Sequence, residues 1–319
     1  MTAAGPTTWT PAEIPDLTGR RALVTGATGG LGEVTARELA RHGASVVLAG
    51  RSADRLDQAA RRIRRAQPAA DLTPLVLDLA DLDSVRRAVA QTAAYGPVHL
   101  LVNNAGVMAT PQRRTVDGFE LQLGTNHLGH FALTGRLLPQ LVAGEGRVVT
   151  VSSQMHRSVR SLPLTDPRAP DHGRYSRWRA YGRSKLANLL FMLELDRRVR
   201  RAGLPVTSVG AHPGYAATNL TWSGMQLDGR STPGVILHAA TRLVAQSAEG
   251  GAQPLLMAAT LPGLPGGTYL GPSGPGEWRG APTIVHPSRA ARDERLAAGL
   301  WELSERATGV TYPHPADPS

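Results

Sequence analysis

The sequence predicts a single α/β domain: a doubly wound parallel sheet of about seven strands with helices on both faces. Three observations carry this. Short apolar runs alternate with amphipathic stretches along most of the chain. The spacing between runs admits one helix each, which is how parallel strands are connected. The first run ends in a glycine-rich turn that leads into a helical pattern. At 319 residues the chain is long for one hydrophobic core but within reach of one large α/β domain.

The elements follow in order. Residues 1–19 are Pro-rich and polar and read as a leader lying over the domain; 20–310 form the domain, and 311–319 a tail. "RALVTG" (21–26), "ASVVLAG" (44–50) and "TPLVLDL" (73–79) are near-continuous apolar runs, the signature of strands covered on both faces. Between and after them, 31–42, 54–66 and 81–93 carry helical amphipathic spacing. "HLLVNNAG" (99–106), "GRVVTVSS" (146–153) and "LPVTSVGAHPG" (204–214) continue the series, and "GGTYLG" (266–271) is a candidate seventh strand. The stretches 154–178 and 215–234 carry Pro, Gly and charge and read as loops. Loops at the carboxyl ends of parallel strands form the ligand crevice.

Composition narrows the function classes. Cysteine is absent, which excludes disulfides, thiolate chemistry and Cys-ligated metals. No apolar run reaches membrane-span length, and the first residues lack the basic and apolar regions of an export signal. The expectation is a soluble cytoplasmic protein. The formal net charge is +10, which raises nucleic acid or an acidic surface as a rival partner. The arginines are scattered along helices, as in "RRIRRAQ" (61–67), and read as solvated faces. No nucleic-acid-binding signature accompanies them.

"ALVTGATGGLGEVTARELA" (22–40) is a strand, a glycine turn and a helix. Gly26 allows the tight turn, Gly30 lets the backbone approach a pyrophosphate, and Gly32 permits close packing of helix on strand. The helix N-terminus then offers free N–H groups and a positive dipole end to an anion. At the end of the second strand an acid would favour NAD by accepting from the ribose 2′-hydroxyl. Here "LAGRS" places Gly50 and Arg51 there, and an arginine accommodates a 2′-phosphate. The expected cofactor is therefore NADP(H), with NAD(H) as the alternative. Asp78, after "PLVL", is placed to receive an adenine amino group or to serve as a turn carboxylate.

Lys185 is the only lysine; the other basic residues are all arginine. Under such a bias, a site that tolerates either cation drifts to arginine. A site that needs a compact ammonium on a flexible stem does not. Tyr181 stands four residues earlier in a helical pattern, hence on the same face. A phenol with a pKa of about 10 is too weak an acid to exchange protons easily at neutral pH. A nearby ammonium and an oxidised nicotinamide favour the phenolate and make the tyrosine a general acid or base. Tyr175, followed four residues on by Arg179, lacks this pairing.

With these motifs assembled, the chain resembles the short-chain dehydrogenase/reductase family, with its Rossmann-type fold. "TGATGGLG" (25–32), "NNAG" (103–106), "GTNHLGHF" with Asn126, "VVTVSS" with Ser153, "YGRSK" with Tyr181 and Lys185, and "HPGYAATNL" (212–220) match six family motifs in the family order. The resemblance covers roughly residues 18 to 310. "NHLGHFALTGRLL", "YGRSKLANLLF" and "LWELSERATGV" are similar to the retinol-dehydrogenase and WW-domain-oxidoreductase branch and its bacterial members, and the 28-residue gap from Ser153 to Tyr181 fits that branch. The absence of cysteine argues against the related protochlorophyllide reductases.

The resemblance implies an oxidoreductase that interconverts a carbonyl and an alcohol on an apolar small molecule. Tyr181 would pass the proton, Lys185 would lower its pKa and hold the nicotinamide ribose hydroxyls, and Ser153 would polarise the carbonyl. Asn126 would hold a water linking Lys185 to solvent. Strand alternation separates Ser153 from its neighbour Ser152, and the family motif favours the former. The implied cofactor-binding positions are Gly26, Thr28, Gly30, Leu31, Gly32, Arg51, Asp78, Leu79, Asn104, Ala105, Gly106, Tyr181, Lys185, Pro213, Gly214 and Thr218. No metal is expected: His127, His130 and His156 read as satisfied structural histidines in a helix and a loop, with the pocket mouth as a second place for His156. Trp222, Met225 and Leu227 fall in the loop that would cover the substrate. The alternative within the same fold is a non-catalytic NADP-binding regulator, and a homo-oligomer is possible.

Overall fold

The computed structural model describes residues 9–168, 175–215 and 246–312. Eight strands form one sheet in the order β3-β2-β1-β4-β5-β6-β7-β8: β1 Arg21–Thr25, β2 Ser45–Gly50, β3 Leu72–Val76, β4 Leu100–Asn103, β5 Arg147–Val151, β6 Thr207–Ala211, β7 Tyr269–Pro272 and β8 Pro282–Ile284. The first seven run parallel and β8 pairs antiparallel with β7. β8 is the strand the sequence did not announce. Three residues containing a proline show no periodicity, and only pairing with β7 makes them a strand.

Among the described residues the α-helices are α1 Gly30–Arg41, α2 Ala53–Ala66, α3 Leu82–Thr92, α4 Leu121–Leu123, α5 Gly129–Ala143, α6 Arg177–Arg201, α7 Ala248–Thr260 and α8 Glu294–Thr308. Side chains of β1 alternate between the two faces. Ala22 and Val24 join a core with α1, α2 and α7, while Leu23 joins a second core with α3, α5, α6 and Trp301 of α8. On α2, Leu56, Ala60 and Ile63 enter the first core and Arg61, Arg62, Arg64 and Arg65 stay exposed, so this basic run is a solvated face. Part of the N-terminal leader is core: Trp9 is 1% exposed, and Ile14 and Leu17 are buried beside it. At the other end, the buried Tyr312 donates its hydroxyl hydrogen bond to the Phe131 carbonyl, 2.8 Å. Among the described residues, no helix is long and apolar enough to cross a membrane.

The strand order reverses between β1 and β4, so the loops leaving their carboxyl ends diverge and open a crevice there. α4 and α5 are joined by a π-helical turn, Gly124–Leu128, in which the Gly129 amide bonds to the Gly124 carbonyl, one residue further back than in an α-helix. Asn126 lies in this widened turn.

Candidate active site

The crevice at the switch point has a volume of about 480 Å³. Gly26, Thr28, Gly30, Leu31 and Gly32 of the glycine turn line it. So do Arg51 at the end of β2, Asp78 and Leu79 after β3, and Asn104, Ala105 and Gly106 after β4. Gly26 has φ of +70°, a left-handed conformation that favours glycine. Gly32 is needed for close approach: a Cβ there would run into the Gly26 carbonyl oxygen and stand 2.6 Å from Asn104 Nδ2. The Asn104 side chain in turn donates to the Thr25 carbonyl at 2.8 Å, which ties the end of β4 to the start of the turn. Asp78 serves as a turn carboxylate, accepting from the Ala80 amide at 2.9 Å, and also faces the crevice.

Ser52, Thr125 and Arg55 also line the crevice and were not singled out from the sequence. The available signal for Arg55 was its spacing, four residues beyond Arg51 and one turn along α2. Pro213 and Gly214 stand at the end of β6, outside this lining; Gly214 lies against the Trp278 carbonyl. Thr218, Trp222, Met225 and Leu227 lie outside the described residues.

At the inner end of the crevice, α6 presents Tyr181 and Lys185 toward the end of β5. Both are buried, at 5% and 4% exposure. Lys185 Nζ lies 5.7 Å from the centre of the Tyr181 ring and donates to the Val151 carbonyl at 3.2 Å. A Cβ on Gly106 would stand 3.7 Å from that Nζ, which places the ammonium at the nucleotide crevice. The Ser153 side chain stands near enough to the Tyr181 phenol to pull its pKa down against burial, and its Oγ accepts from the Met155 amide at 3.3 Å. Ser152 points the other way and donates to the Lys185 carbonyl at 2.8 Å, which commits it to holding α6.

In the absence of a nicotinamide, burial governs both titrating groups. In the protein alone the Tyr181 phenol is pushed up to about 12 by burial, with the Ser153 side chain pulling against it. Burial also brings Lys185 down to about 8. Desolvation penalises both charged forms more than the pair's separation lets them stabilise each other.

Asn126 makes three hydrogen bonds within the protein besides its expected role. Its Nδ2 donates to the Val107 carbonyl at 2.9 Å and to Ser184 Oγ at 2.9 Å, and its Oδ1 accepts from the Val107 amide at 2.8 Å. The Ser184 hydroxyl donates in turn to the Tyr181 carbonyl at 2.8 Å. Asn126 is therefore a hub between the β4 loop and the tyrosine helix. One Oδ1 lone pair remains, and a Cβ on Gly106 would stand 3.0 Å from that oxygen.

The histidines fall into buried networks. His127 meets Ser304 at 2.8 Å and burial depresses it to about 3. His156 is fully buried rather than at a pocket mouth, donating from Nδ1 to the Ser153 carbonyl at 2.7 Å and accepting from the Ser288 amide at 3.2 Å. Glu277, unforeseen in the sequence, gathers His212 Nε2 at 2.9 Å, Gln154 Nε2 at 2.6 Å and Arg157 at 2.9 Å. It bolts the β7–β8 connection to the turn after Ser153. Among the described residues, no group of three or more His, Cys, Asp or Glu could hold a metal.

A family model for short chain dehydrogenases matches residues 20–161. Over 314 residues the chain is 43% identical to the polyprenol dehydrogenase of Mus musculus, covering 94% of this chain and 87% of that protein. The chain belongs to the short-chain dehydrogenase family. It is 37% identical over 300 residues to retinol dehydrogenase 12 of Homo sapiens, covering 93% of this chain and 88% of that one. A solved structure of an uncharacterised protein from Mycobacterium paratuberculosis matches with TM-score 0.79 and 43% identity over 96% of this chain and 100% of that one. A Beutenbergia cavernae structure with NADP bound matches with TM-score 0.58 and 27% identity, covering 77% of this chain and 91% of that one. Within the short-chain dehydrogenases this chain falls in the retinol-dehydrogenase-like branch, and it is an NAD(P)-dependent oxidoreductase.

The crevice of this short-chain dehydrogenase fits a dinucleotide. α1 begins on Gly29 without a side-chain cap, so its first amides are available to a pyrophosphate. Arg51 and Arg55 are exposed at the crevice edge, where a phosphate could reach both guanidinium groups. At Gly50, where an acid would stand, a Cβ would lie 3.0 Å from Thr28 Cγ2, a tight contact that the threonine side chain would have to relieve.

Proposed function

We propose that this short-chain dehydrogenase interconverts a carbonyl and an alcohol on an apolar small molecule, prefers NADP(H) over NAD(H), and uses Tyr181 as its proton donor and acceptor. The observation that carries the proposal is the convergence of Tyr181, Ser153 and Lys185 at the inner end of a glycine-lined crevice. The bound cofactor supplies or accepts the hydride. The α1 N-terminus would hold its pyrophosphate, Arg51 and Arg55 a 2′-phosphate, and Lys185 the ribose hydroxyls nearest the reacting carbon.

Tyr181 is protonated at neutral pH, as a phenol is, and so has a proton to give to a carbonyl oxygen; burial, which raises it, makes that proton harder to release. Ser153 donates to the same oxygen as negative charge develops on it. In the oxidative direction the phenol must lose its proton, and the positive charges gathered at that step lower its cost. The space beside Gly106, between Asn126 Oδ1 and Lys185 Nζ, suits a water that carries the proton outward.

The apolar substrate follows from kinship: polyprenol and retinol, which name two of the relatives, are both long apolar alcohols. A small-molecule substrate in the cytoplasm, with no specific nucleic-acid partner, completes the proposal. The test is oxidation of NADPH and NADH against a panel of long-chain and compact aldehydes, ketones and quinones. Expected is turnover of an apolar aldehyde or ketone, faster with NADPH. Inertness across the panel with tight NADPH binding would instead favour a non-catalytic NADP-binding protein.

A further inference from the structure

His130 lies in the first turn of α5, and neither the fold nor the chemistry described so far uses it. It is 2% exposed. Its Nδ1 lies 3.0 Å from the Asn126 carbonyl oxygen, and its Nε2 lies 3.0 Å from Thr25 Oγ1. A carbonyl only accepts, so Nδ1 carries the hydrogen; in a neutral imidazole Nε2 is then bare and accepts from the Thr25 hydroxyl. Burial depresses the imidazole to about 4, so it is neutral at physiological pH. Thr25 Oγ1 itself accepts from the Asn104 and Ala105 amides, each at 2.9 Å.

The Thr25 hydroxyl has a second acceptor in the Val102 carbonyl, at 3.2 Å; with its one hydrogen turned to the nearer imidazole nitrogen, the donors run one way, from the amides of the crevice floor, through the Thr25 hydroxyl and the imidazole, to the carbonyl in the π turn. At that turn Asn126 continues through Ser184 to the Tyr181 carbonyl. Two amides that form the nucleotide floor are thus joined by hydrogen bonds to the helix that carries the tyrosine. A histidine that only filled space would not need two partners of opposite character at its two nitrogens.

We infer that His130 is a positioning residue whose two ring nitrogens lock the Asn126 turn to the Thr25 corner of the cofactor floor, coupling cofactor seating to the alignment of the proton-transfer residues. This rests on the proposed NADP(H)-dependent reaction and deepens it. The two nitrogens do separable work. Nε2 holds Thr25 and hence the floor; Nδ1 holds the Asn126 turn and hence the alignment.

The experiment compares His130→Leu, His130→Asn and His130→Gln in the full chain, reading NADPH dissociation by fluorescence without substrate, and kcat with a substrate that the wild type turns over. Leucine removes both bonds; each property is expected to worsen about 10-fold, the worth of one buried hydrogen bond. Asparagine places an amide near Nδ1 and is expected to restore kcat while NADPH binding stays weak. Glutamine places its amide oxygen near Nε2 and is expected to do the reverse. Should the leucine variant fail to fold, Thr25→Val, which deletes the hydroxyl at constant shape, is expected to weaken NADPH binding to the same extent.

The inference is overturned if the leucine variant matches wild type in both readouts, if all three His130 variants lose both in parallel, or if Thr25→Val binds NADPH as wild type does. A wild type that binds no dinucleotide would sink the functional proposal itself, a result distinct from any of these.

Discussion

The nucleotide crevice and the proton-transfer corner adjoin at Gly106 but are built from different materials. The crevice is backbone: a left-handed glycine, an approach that a single methyl would block, the uncapped start of α1, and two exposed arginines at its edge. The corner is side chain: a buried phenol, a buried ammonium and an amide hydrogen-bonded at both its ends. Shape and helix polarity make the first selective for a phosphate-bearing ligand. Burial sets the character of the second: desolvation raises the phenol and lowers the ammonium, so both neutral forms are favoured in the protein alone. The difference teaches that the crevice recognises its ligand mainly through backbone shape, while the corner depends on the protonation state of two buried side chains.

The sharpest way to break that contrast is at the phenol. Tyr181→Phe deletes one oxygen and leaves the crevice alone. Turnover is expected to fall by about 1,000-fold, with NADPH dissociation within about threefold of wild type. Turnover that survived the change would remove the corner from the mechanism.

The reverse experiment alters the crevice and spares the corner. Arg51→Asp replaces a 2′-phosphate partner with a ribose partner. The NADPH/NADH ratio of kcat/KM is expected to drop by about 100-fold, roughly the worth of a charge-assisted hydrogen bond taken from one cofactor and given to the other. An unchanged ratio would leave Arg51 a surface residue and move the selectivity to Arg55.

A smaller effect probes the ammonium. Lys185 sits near 8, lowered by burial. The folded protein therefore loses this proton well before an exposed lysine would, and its charge is present only below that pH. In carbonyl reduction, kcat/KM for NADPH, which reports the free enzyme, is expected to be flat below pH 7 and to fall about 10-fold by pH 9. In Lys185→Arg the plateau drops but the fall near pH 8 disappears, since a guanidinium stays charged. A wild-type profile flat to pH 9 would show that the ammonium's charge is not needed for binding.

The legibility of the two regions differs for the same physical reason that their chemistry does. The glycine turn, the arginine after β2 and the Tyr–Lys spacing are local, so they could be read along the chain. Strand alternation showed that Ser152 and Ser153 face opposite sides and the family motif favoured Ser153; in the structure Ser152 donates to the α6 backbone. Arg55 was half-legible, through its spacing from Arg51. His156, Glu277 and the commitments of Asn126 were not. Their partners, at Ser288, His212 and Ser184, are brought to them only by the folded sheet.

By itself, the sequence determined the doubly wound architecture, the place of the phosphate turn and which residues are candidates for proton transfer. These rest on periodicity, backbone freedom and helical spacing, which act over a few residues. Only the tertiary structure decided that the leader's Trp9 is core, that β8 extends the sheet beyond β7, how deeply Tyr181 and Lys185 are buried, and that His130 bridges floor and turn. Desolvation and hydrogen-bond partnership depend on what lies across the fold, and no local pattern along the chain records it.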